Sequence, residues 1–366
     1  MKPRCVLFVA VVGALSLVLT SCAQAGSAPT PTQAPVVPTK SAAPVASTPA
    51  PVPPTKAPEP SKATSFPEKG KILTMVVPFE AGGGADSKGR IIAESLEKEL
   101  GIQVQVVNKP GASSQAAMTE LARQTKPDGY TILLASIPMS ITAYLDPERK
   151  AQFGLKDLQM VAAMVSDPFL AGVPADSPFK TAKDLVDAAK AKPETIKVAI
   201  TGLLGGSHLA LLELESAVGV KFLPVPFNDA AKVGIAVAGG HVDATVACIG
   251  DIQTHLKSGA VRPVGLMQKT ENKNLPGVKT FESSGYKVFP MAAVLGAIAP
   301  ASTPKDVVDI LDNAIKKSLE SPDAVKRLDG LGVERLYMSS TDFADFWKGM
   351  DSTVKPLIEQ QRQNTK

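Results

Sequence analysis

From about residue 71 onward, short apolar runs alternate with amphipathic stretches. The apolar runs are rich in Val, Ile, Leu and Ala, which predicts strands at 72–77, 104–107, 130–136, 160–165, 196–200, 222–226, 242–249, 261–267 and 288–298. Apolar residues at helical spacing predict helices at 86–100, 114–123, 182–191, 207–218, 230–238, 252–257, 304–319, 322–328 and 341–360. This alternation favours an α/β fold with mainly parallel sheets.

The end of the first strand carries the most informative motif. Three glycines, Gly82 to Gly84, follow the strand, and Asp86 then reads as the N-cap of the first helix. Glycines let successive N–H groups converge on a ligand, and the helix N-terminus adds a positive dipole end. The motif therefore predicts an anion-binding loop, although a plain strand-to-helix turn is the alternative.

The first 67 residues are not typical of a folded domain. Lys2, Arg4 and an apolar run before Cys22 predict a lipoprotein signal peptide over 1–22, with Cys22 as the lipidated residue. Residues 23–67 are rich in Pro, Ala and Thr, which predicts a disordered tether; an interaction segment is the alternative. No second membrane segment is expected. The membrane contact would thus be made through lipidated Cys22.

Composition narrows the remaining possibilities. Removal of the signal leaves 37 basic against 35 acidic residues, and so near-neutral a balance argues against nucleic acid. About 300 residues suit two lobes better than one. The three histidines lack metal-site spacing, so we expect neither a metal nor another cofactor. The chain also lacks the GxSxG elbow and the glycine-lysine nucleotide motifs, so Ser207 is interpreted as an N-cap and His208 as a first-turn residue.

Ligands of open α/β sheets bind beyond the carboxyl ends of the strands. The loops there offer mostly neutral hydrogen-bond donors, which suit a reversibly bound carboxylate. For Asp243 a structural capping role is favoured over ligand contact. The predicted ligand-binding residues are Phe79, Glu80, Ala81, Gly82, Gly83, Gly84, Asp86, Ser136, Ile137, Thr201, Gly202, Leu203, Gly205, Ser207, His208, Phe227, Asn228, Asp243 and Cys248.

Six motifs in this order resemble the Bug-type substrate-binding receptors of tripartite tricarboxylate transporters. They are Val77-Pro78-Phe79 with Gly82-Gly83-Gly84 and Asp86, Val107-Asn108-Lys109-Pro110-Gly111-Ala112, Pro127-Asp128-Gly129-Tyr130-Thr131, Gly205-Gly206-Ser207-His208-Leu209, Val225-Pro226-Phe227 and Gly239-Gly240-His241-Val242-Asp243. The match runs from Lys71 to about Trp347.

The resemblance implies a two-lobed venus-flytrap fold of the type II periplasmic-binding class. Lobe 1 would comprise 71–167 plus 290–366 and lobe 2 168–289, with crossover strands near 166–170 and 288–291. It further implies that a small organic carboxylate is held, largely through backbone N–H groups, and delivered to membrane permease subunits. We expect the receptor to be a monomer. No catalytic residue is expected.

Departures from the family pattern bear on specificity. Glu80 replaces a usual proline, Leu203 and Leu204 are bulkier than usual, and Cys248 replaces a polar strand-end residue. These changes suggest a less highly charged ligand than citrate, such as a monocarboxylate with an apolar body. Two other functions remain open: a sensor subunit that presents its ligand to a signalling partner, and an α/β enzyme, for which only Asp86, Asp243, His208 and Glu80 could act as a base.

Overall fold

A computed structural model describes residues 65–364. Strands and helices alternate along most of this part of the chain. The strands are β1 Ile72–Val77, β2 Gln103–Asn108, β3 Thr131–Ile137, β4 Leu158–Pro174, β5 Lys197–Thr201, β6 Leu223–Phe227, β7 Ala244–Cys248, β8 Val261–Leu266, β9 Ala292–Pro300 and β10 Glu334–Met338. The helices are α1 Gly84–Leu100, α2 Gln115–Gln124, α3 Met139–Leu145, α4 Ala182–Ala191, α5 Gly206–Val218, α6 Ala230–Ala238, α7 Gln253–Lys257, α8 Lys305–Glu320, α9 Pro322–Gly330 and α10 Ser340–Asn364.

Strand β4 connects two groups of strands. Its first part pairs antiparallel with β9 and β10, and β9 continues through β3 and β1 to the edge strand β2. Its last part pairs antiparallel with β7 and β8, and β7 continues through β5 to β6. Within each group the outer strands are parallel: β2, β1 and β3 on one side, and β7, β5 and β6 on the other. The α/β prediction is confirmed.

The apolar pattern predicts residues 160–165 of β4 as strand, and the family resemblance implies a crossover strand near 166–170. The structure continues the strand to Pro174, and all of it except Gln159 is buried. Pro168 has no N–H to donate, but it lies where the pairing partner changes from β9 to β7. Its carbonyl accepts the Ile249 N–H at 3.1 Å. A proline is therefore compatible with a long central strand at this position.

The carboxyl ends of the two parallel groups face the same region around the middle of β4. The last residue of β3, Ile137, pairs with Val294 of β9, which also pairs with Ser166 of β4. Three residues further along β4, Phe169 pairs with Cys248, the last residue of β7. Both groups of parallel strands therefore end beside the middle of β4. The loops that follow β1, β3, β5, β6 and β7 meet there.

Several element boundaries differ from the sequence predictions. Helix α3 and strand β10 were not anticipated; α3 is a short helix whose sequence, Met139 to Leu145, also reads as a continuation of the apolar strand before it. The predicted tether reaches residue 67, yet Phe66 is already buried against Tyr130, with ring centroids 5.0 Å apart. The signal peptide, Cys22 and nearly all of the tether lie outside the described residues.

Candidate functional site

The first glycine loop, residues 78–83, joins β1 to α1. Gly83, not Asp86, is the N-cap, with φ −75° and ψ 172°. Asp86 lies in the first turn, where its Oδ2 accepts the Gly82 N–H at 2.8 Å and Arg90 Nε at 3.0 Å. Its Oδ1 accepts Asn108 Nδ2 at 2.9 Å. Burial alone would raise the pKa of Asp86, but these hydrogen bonds hold it below its usual value.

This geometry changes which groups of the first glycine loop are available to an anion. The Gly82 N–H is bound to Asp86, and the Gly83 N–H points to the Glu80 carbonyl at 3.4 Å. The sequence prediction counted both as ligand donors, whereas in the structure both N–H groups have partners within the loop. The first N–H groups of α1 itself, starting at Gly84, have no partner within their own helix and are the donors that remain.

The second glycine loop, residues 202–205, joins β5 to α5 in a similar way. Its N-cap is Gly205, with φ −78° and ψ 174°, so Ser207 is a first-turn residue and not the predicted N-cap. Ser207 Oγ accepts the Thr201 N–H at 2.6 Å. His208 Nδ1 accepts the Leu204 N–H at 2.9 Å. Both side chains that resemble a catalytic pair therefore hold the backbone of the loop.

His208 is neutral under ordinary conditions. It is 1% exposed, and burial lowers its pKa from 6.5 to about 4. A neutral ring is also what the bond to Leu204 requires, because only an unprotonated Nδ1 can accept an N–H. Leu204 itself has φ 54°, in the left-handed region, so the bond stabilises a strained residue.

Short contacts bring the second glycine loop next to both groups of strands. The Gly202 N–H donates to the Phe227 carbonyl at 3.0 Å. A Cβ on Gly206 would lie 3.1 Å from Phe169 Cζ and 3.8 Å from Pro138 Cδ. The loop that follows β3 is thus within reach of α5.

The other predicted site residues differ in exposure. Glu80, Ala81, Asn228 and Leu203 are exposed, and Leu203 is 57% exposed despite being apolar. Those that are half-buried or buried at the strand ends are Phe79, Thr201, Phe227, Ser136, Ile137 and Cys248. Apart from Asp243, all of the predicted residues lie at or beside the carboxyl ends of the strands.

Asp243 lies away from this region. It directly precedes β7, at the amino end of the strand, and it is exposed. Its Oδ2 accepts the Lys197 N–H at 2.8 Å, and its own N–H donates to the Lys197 carbonyl at 3.0 Å. The capping role favoured by the sequence agrees with these bonds. Asp243, which was also among the predicted ligand-binding residues, lies at the opposite end of its strand from the carboxyl ends that meet.

A buried charged cluster at the centre of the site was missed by the sequence analysis. Lys88 of α1 pairs with Asp167 of β4 and lies 3.8 Å from Asp251, in the loop after β7. Asp167 also accepts the Gly250 N–H at 2.9 Å. One signal was present: Lys88 lies one helical turn before the apolar stripe of Ile92, Leu96 and Leu100, on the same face of α1. We define Lys88, Asp167 and Asp251 as the central ion cluster.

Burial and mutual charge determine the protonation of this cluster. The pKa of Asp251 is raised to about 6: burial raises it most, Lys88 lowers it, and Asp167 raises it by a smaller amount. Burial lowers the pKa of Lys88, but its two carboxylate neighbours outweigh this and raise it overall. Burial and the same carboxylates raise the pKa of Cys248, which keeps the thiol neutral.

Two further observations concern the described residues as a whole. Within residues 65–364, His, Cys, Asp and Glu side chains form no group of three that could hold a metal ion. Over the same range, no helix combines the length and the apolar character that a membrane crossing requires. The site combines hydrogen-bond donors, two helix N-termini and one buried ion cluster.

Comparison with known proteins decides the family. A family model described as the tripartite tricarboxylate transporter family receptor matches residues 89–362. The chain belongs to this family. The resemblance drawn from the six motifs is thereby confirmed, and the protein is a periplasmic solute-binding receptor. The match begins at Gly89, just after the first glycine loop.

Relatives of this receptor agree in both sequence and fold. A protein of Pseudomonas sp. (strain P51), encoded in the tcbD-tcbE intergenic region, is 29% identical over 293 residues, or 80% of this chain and 87% of the relative. The structure of periplasmic binding protein BugD is 28% identical with TM-score 0.71, covering 80% of this chain and 98% of BugD. MatC from Rhodopseudomonas palustris, solved with bound malate, is 25% identical with TM-score 0.71, covering 80% of this chain and 100% of MatC.

Proposed function

We propose that this receptor captures a small organic carboxylate between the two glycine loops and delivers it to a tripartite tricarboxylate-type permease. The observation that carries the proposal is the pair of matching strand–glycine loop–helix units at facing carboxyl ends. The N-terminus of α1 and that of α5 each present unpaired N–H groups and a positive dipole end. A carboxylate is the small anion that such neutral donors bind reversibly.

One further observation supports a carboxylate, and a second supports a preformed binding loop. The relative MatC was solved with malate, a carboxylate, bound. The first glycine loop is also supported from behind by Asp86 and Asn108, so that its backbone is already ordered before a ligand arrives. Preorganisation of this kind reduces the entropy lost on binding.

We further propose that the molecule closes as two lobes. Lobe 1 comprises residues 71–167 and 290–366, and lobe 2 residues 168–289. The change of partners along β4 at Asp167 and Pro168 supports a hinge there, since that strand is shared by both groups. A monomer closing on its ligand should show a smaller radius of gyration in solution scattering, and an unchanged radius at saturation would contradict the hinge.

The membrane attachment belongs to the same proposal. Lipidation at Cys22 would keep the receptor beside its permease, with residues 23–64 as a spacer. Metabolic labelling with a radioactive fatty acid should mark the wild-type chain and not Cys22→Ala. Equal labelling of both chains would reject Cys22 as the lipidated residue.

The binding function is tested by thermal unfolding with a panel of carboxylates. A ligand that binds only the native state at 100 times its Kd stabilises it by about 2.7 kcal/mol, so at least one carboxylate should raise Tm by several degrees. Gly83→Val should abolish this rise, because a branched side chain at the N-cap would crowd the N–H groups that begin at Gly84. The protein should still fold, because a Cβ on Gly83 meets only the Glu80 carbonyl at 3.4 Å. Gly154→Val is the matched control, since Gly154 is an N-cap glycine with open space around it at the far end of β4.

The outcomes separate the possible functions. If no carboxylate in the panel shifts Tm, the receptor proposal fails. If ligand binds but cells with the permease show no receptor-dependent uptake, the sensor alternative becomes the better explanation. Turnover of any carboxylate by the purified protein would favour an enzyme, for which we identify no catalytic residue.

A further inference from the structure

The central ion cluster contains two carboxylates and one ammonium group. Lys88 and Asp167 are almost completely buried, with side chains 5% and 0% exposed, and they pair directly with each other. Asp167 gains a further bond from the Gly250 N–H. The charge of Lys88 is therefore largely neutralised by Asp167. Asp251, 3.8 Å from the same ammonium group, is left as the excess negative charge.

Asp251 is also the member of the cluster that faces the site. Its side chain is 23% exposed, whereas the other two are almost inaccessible. A Cβ placed on Gly84 would overlap Asp251 Oδ1, so this oxygen lies directly against the first residue of α1. A carboxylate bound to the N–H groups of that helix start would consequently lie within a few ångströms of Asp251.

A negative charge in this position discriminates between solutes by their charge. At separations of about 4–6 Å, and with an effective dielectric constant near 20, two like charges repel strongly enough to change affinity by about tenfold or more. An ammonium group at the same separation is attracted by a comparable amount. The donors of the glycine loops bind the first carboxylate, but they do not cancel the effect of Asp251 on a second one.

We propose that Asp251 selects the net charge of the solute: it disfavours a second carboxylate and favours a solute that carries an ammonium group beside its single carboxylate. This inference rests on the proposed carboxylate-binding function. The titratable groups around Asp251 are Lys88 from α1, Asp167 from β4 and Cys248 from β7. Val333 packs near Gly250 on the remaining side and carries no charge.

The test uses three four-carbon ligands that differ in charge: succinate, butanoate and 4-aminobutanoate. Their Kd values are measured by calorimetry at pH 7.5 on the full chain and on Asp251→Asn, which removes the charge and keeps the size. Relative to wild type, the variant should bind succinate about tenfold more tightly and 4-aminobutanoate about tenfold more weakly, with butanoate in between.

Asp176→Asn is the control, because Asp176 is an exposed carboxylate beyond the other end of β4. It should leave all three Kd values within about twofold, as expected for a distant screened charge.

A second measurement needs no variant. Because the pKa of Asp251 is raised to about 6, the wild-type protein should bind 4-aminobutanoate more weakly at pH 5 than at pH 7.5, while the ligand keeps its own charges. Asp251→Asn should show no such change.

The inference and the proposed function fail in different ways. If the ligands bind but Asp251→Asn changes all three affinities by the same factor, or none of them, the charge-selection inference is overturned and the receptor function stands. If no carboxylate binds either protein, both are overturned.

Discussion

The two glycine loops share a backbone plan but are stabilised by different chemistry. Each follows a parallel strand, each is capped by a glycine with extended backbone, and each leads into a helix of 13 or 17 residues. The first is held by an ionised carboxylate, Asp86, with a cationic partner in Arg90. The second is held by the neutral groups of Ser207 and His208. The same anion-binding geometry can thus be built with or without charge.

This difference has a consequence for the ligand. In the first loop the positive end of the helix dipole is already opposed by Asp86 in the first turn and by Asp251 at Gly84. In the second loop, Ser207 and His208 add no negative charge to the start of α5. A ligand carboxylate therefore meets less opposing negative charge at the second loop than at the first, where Asp251 lies against the start of α1.

The largest expected effect comes from removing the charged support of the first loop. Asp86→Ala leaves the Gly82 N–H, Arg90 and Asn108 without their shared partner, and loss of a buried charged group with several bonds costs about 4 kcal/mol. Urea denaturation measures this as a fall in the free energy of unfolding. Asp86→Asn keeps one acceptor, so its free energy of unfolding should fall by about half as much. A fall of less than about 1 kcal/mol in Asp86→Ala would contradict the role of Asp86 in supporting the first loop.

The second loop should instead be sensitive to pH. The folded-state pKa of His208 is lowered from 6.5 to about 4, so the unfolded chain takes up the proton first as the pH falls. The contribution of His208 to the free energy of unfolding is therefore present above pH 6.5 and is lost as the pH falls toward 4. Between pH 7 and 4 this removes about 3 kcal/mol at most. Asp86, whose pKa is lowered, loses its contribution only at lower pH.

His208→Asn separates the two loops in that experiment. Its amide oxygen can still accept the Leu204 N–H but does not titrate, so the free energy of unfolding should fall less steeply from pH 7 to 4 than in wild type. The raised pKa of Asp251 acts in the opposite sense and is common to both proteins, so it cancels in the difference. His241→Asn, at an exposed position, should keep the wild-type slope; equal slopes for all three proteins would reject the role of His208.

A smaller effect distinguishes the two N-cap glycines. A Cβ on Gly205 would overlap the Thr201 carbonyl, whereas one on Gly83 meets its nearest atom at an ordinary 3.4 Å. Gly205→Ala should therefore lower the free energy of unfolding by about 2 kcal/mol, because backbone atoms cannot easily move aside. Gly83→Ala should cost less than about 1 kcal/mol. Equal losses in urea denaturation would show that the loops do not differ in packing.

The smallest effect concerns the surface partner of Asp86. Arg90 is 47% exposed, so its ion pair with Asp86 is largely screened by solvent. Arg90→Gln should cost less than about 1 kcal/mol, and 1 M salt should reduce the difference further. A loss as large as that of Asp86→Ala would mean that the ion pair, and not the bond to Gly82, supports the first loop.

Local patterns predicted much of this molecule because short-range physics decides them. Alternating apolar runs and helical stripes located most strands and helices, and glycine runs at strand ends located both loops. The role of individual loop residues was less accessible. Whether the Gly82 N–H is free depends on where the Asp86 side chain turns, and the pattern permits an N-cap or a first-turn position equally well.

The sequence by itself determined the α/β class, the family, and the place of both glycine loops, since each is written in contiguous residues. Only the tertiary structure decided which distant residues meet. Lys88, Asp167 and Asp251 come from a helix, a central strand and a loop, and they form a cluster only because β4 carries both groups of strands past the same point. Burial there changes how strongly charges interact, and burial is a property of the assembled fold, which no stretch of sequence contains.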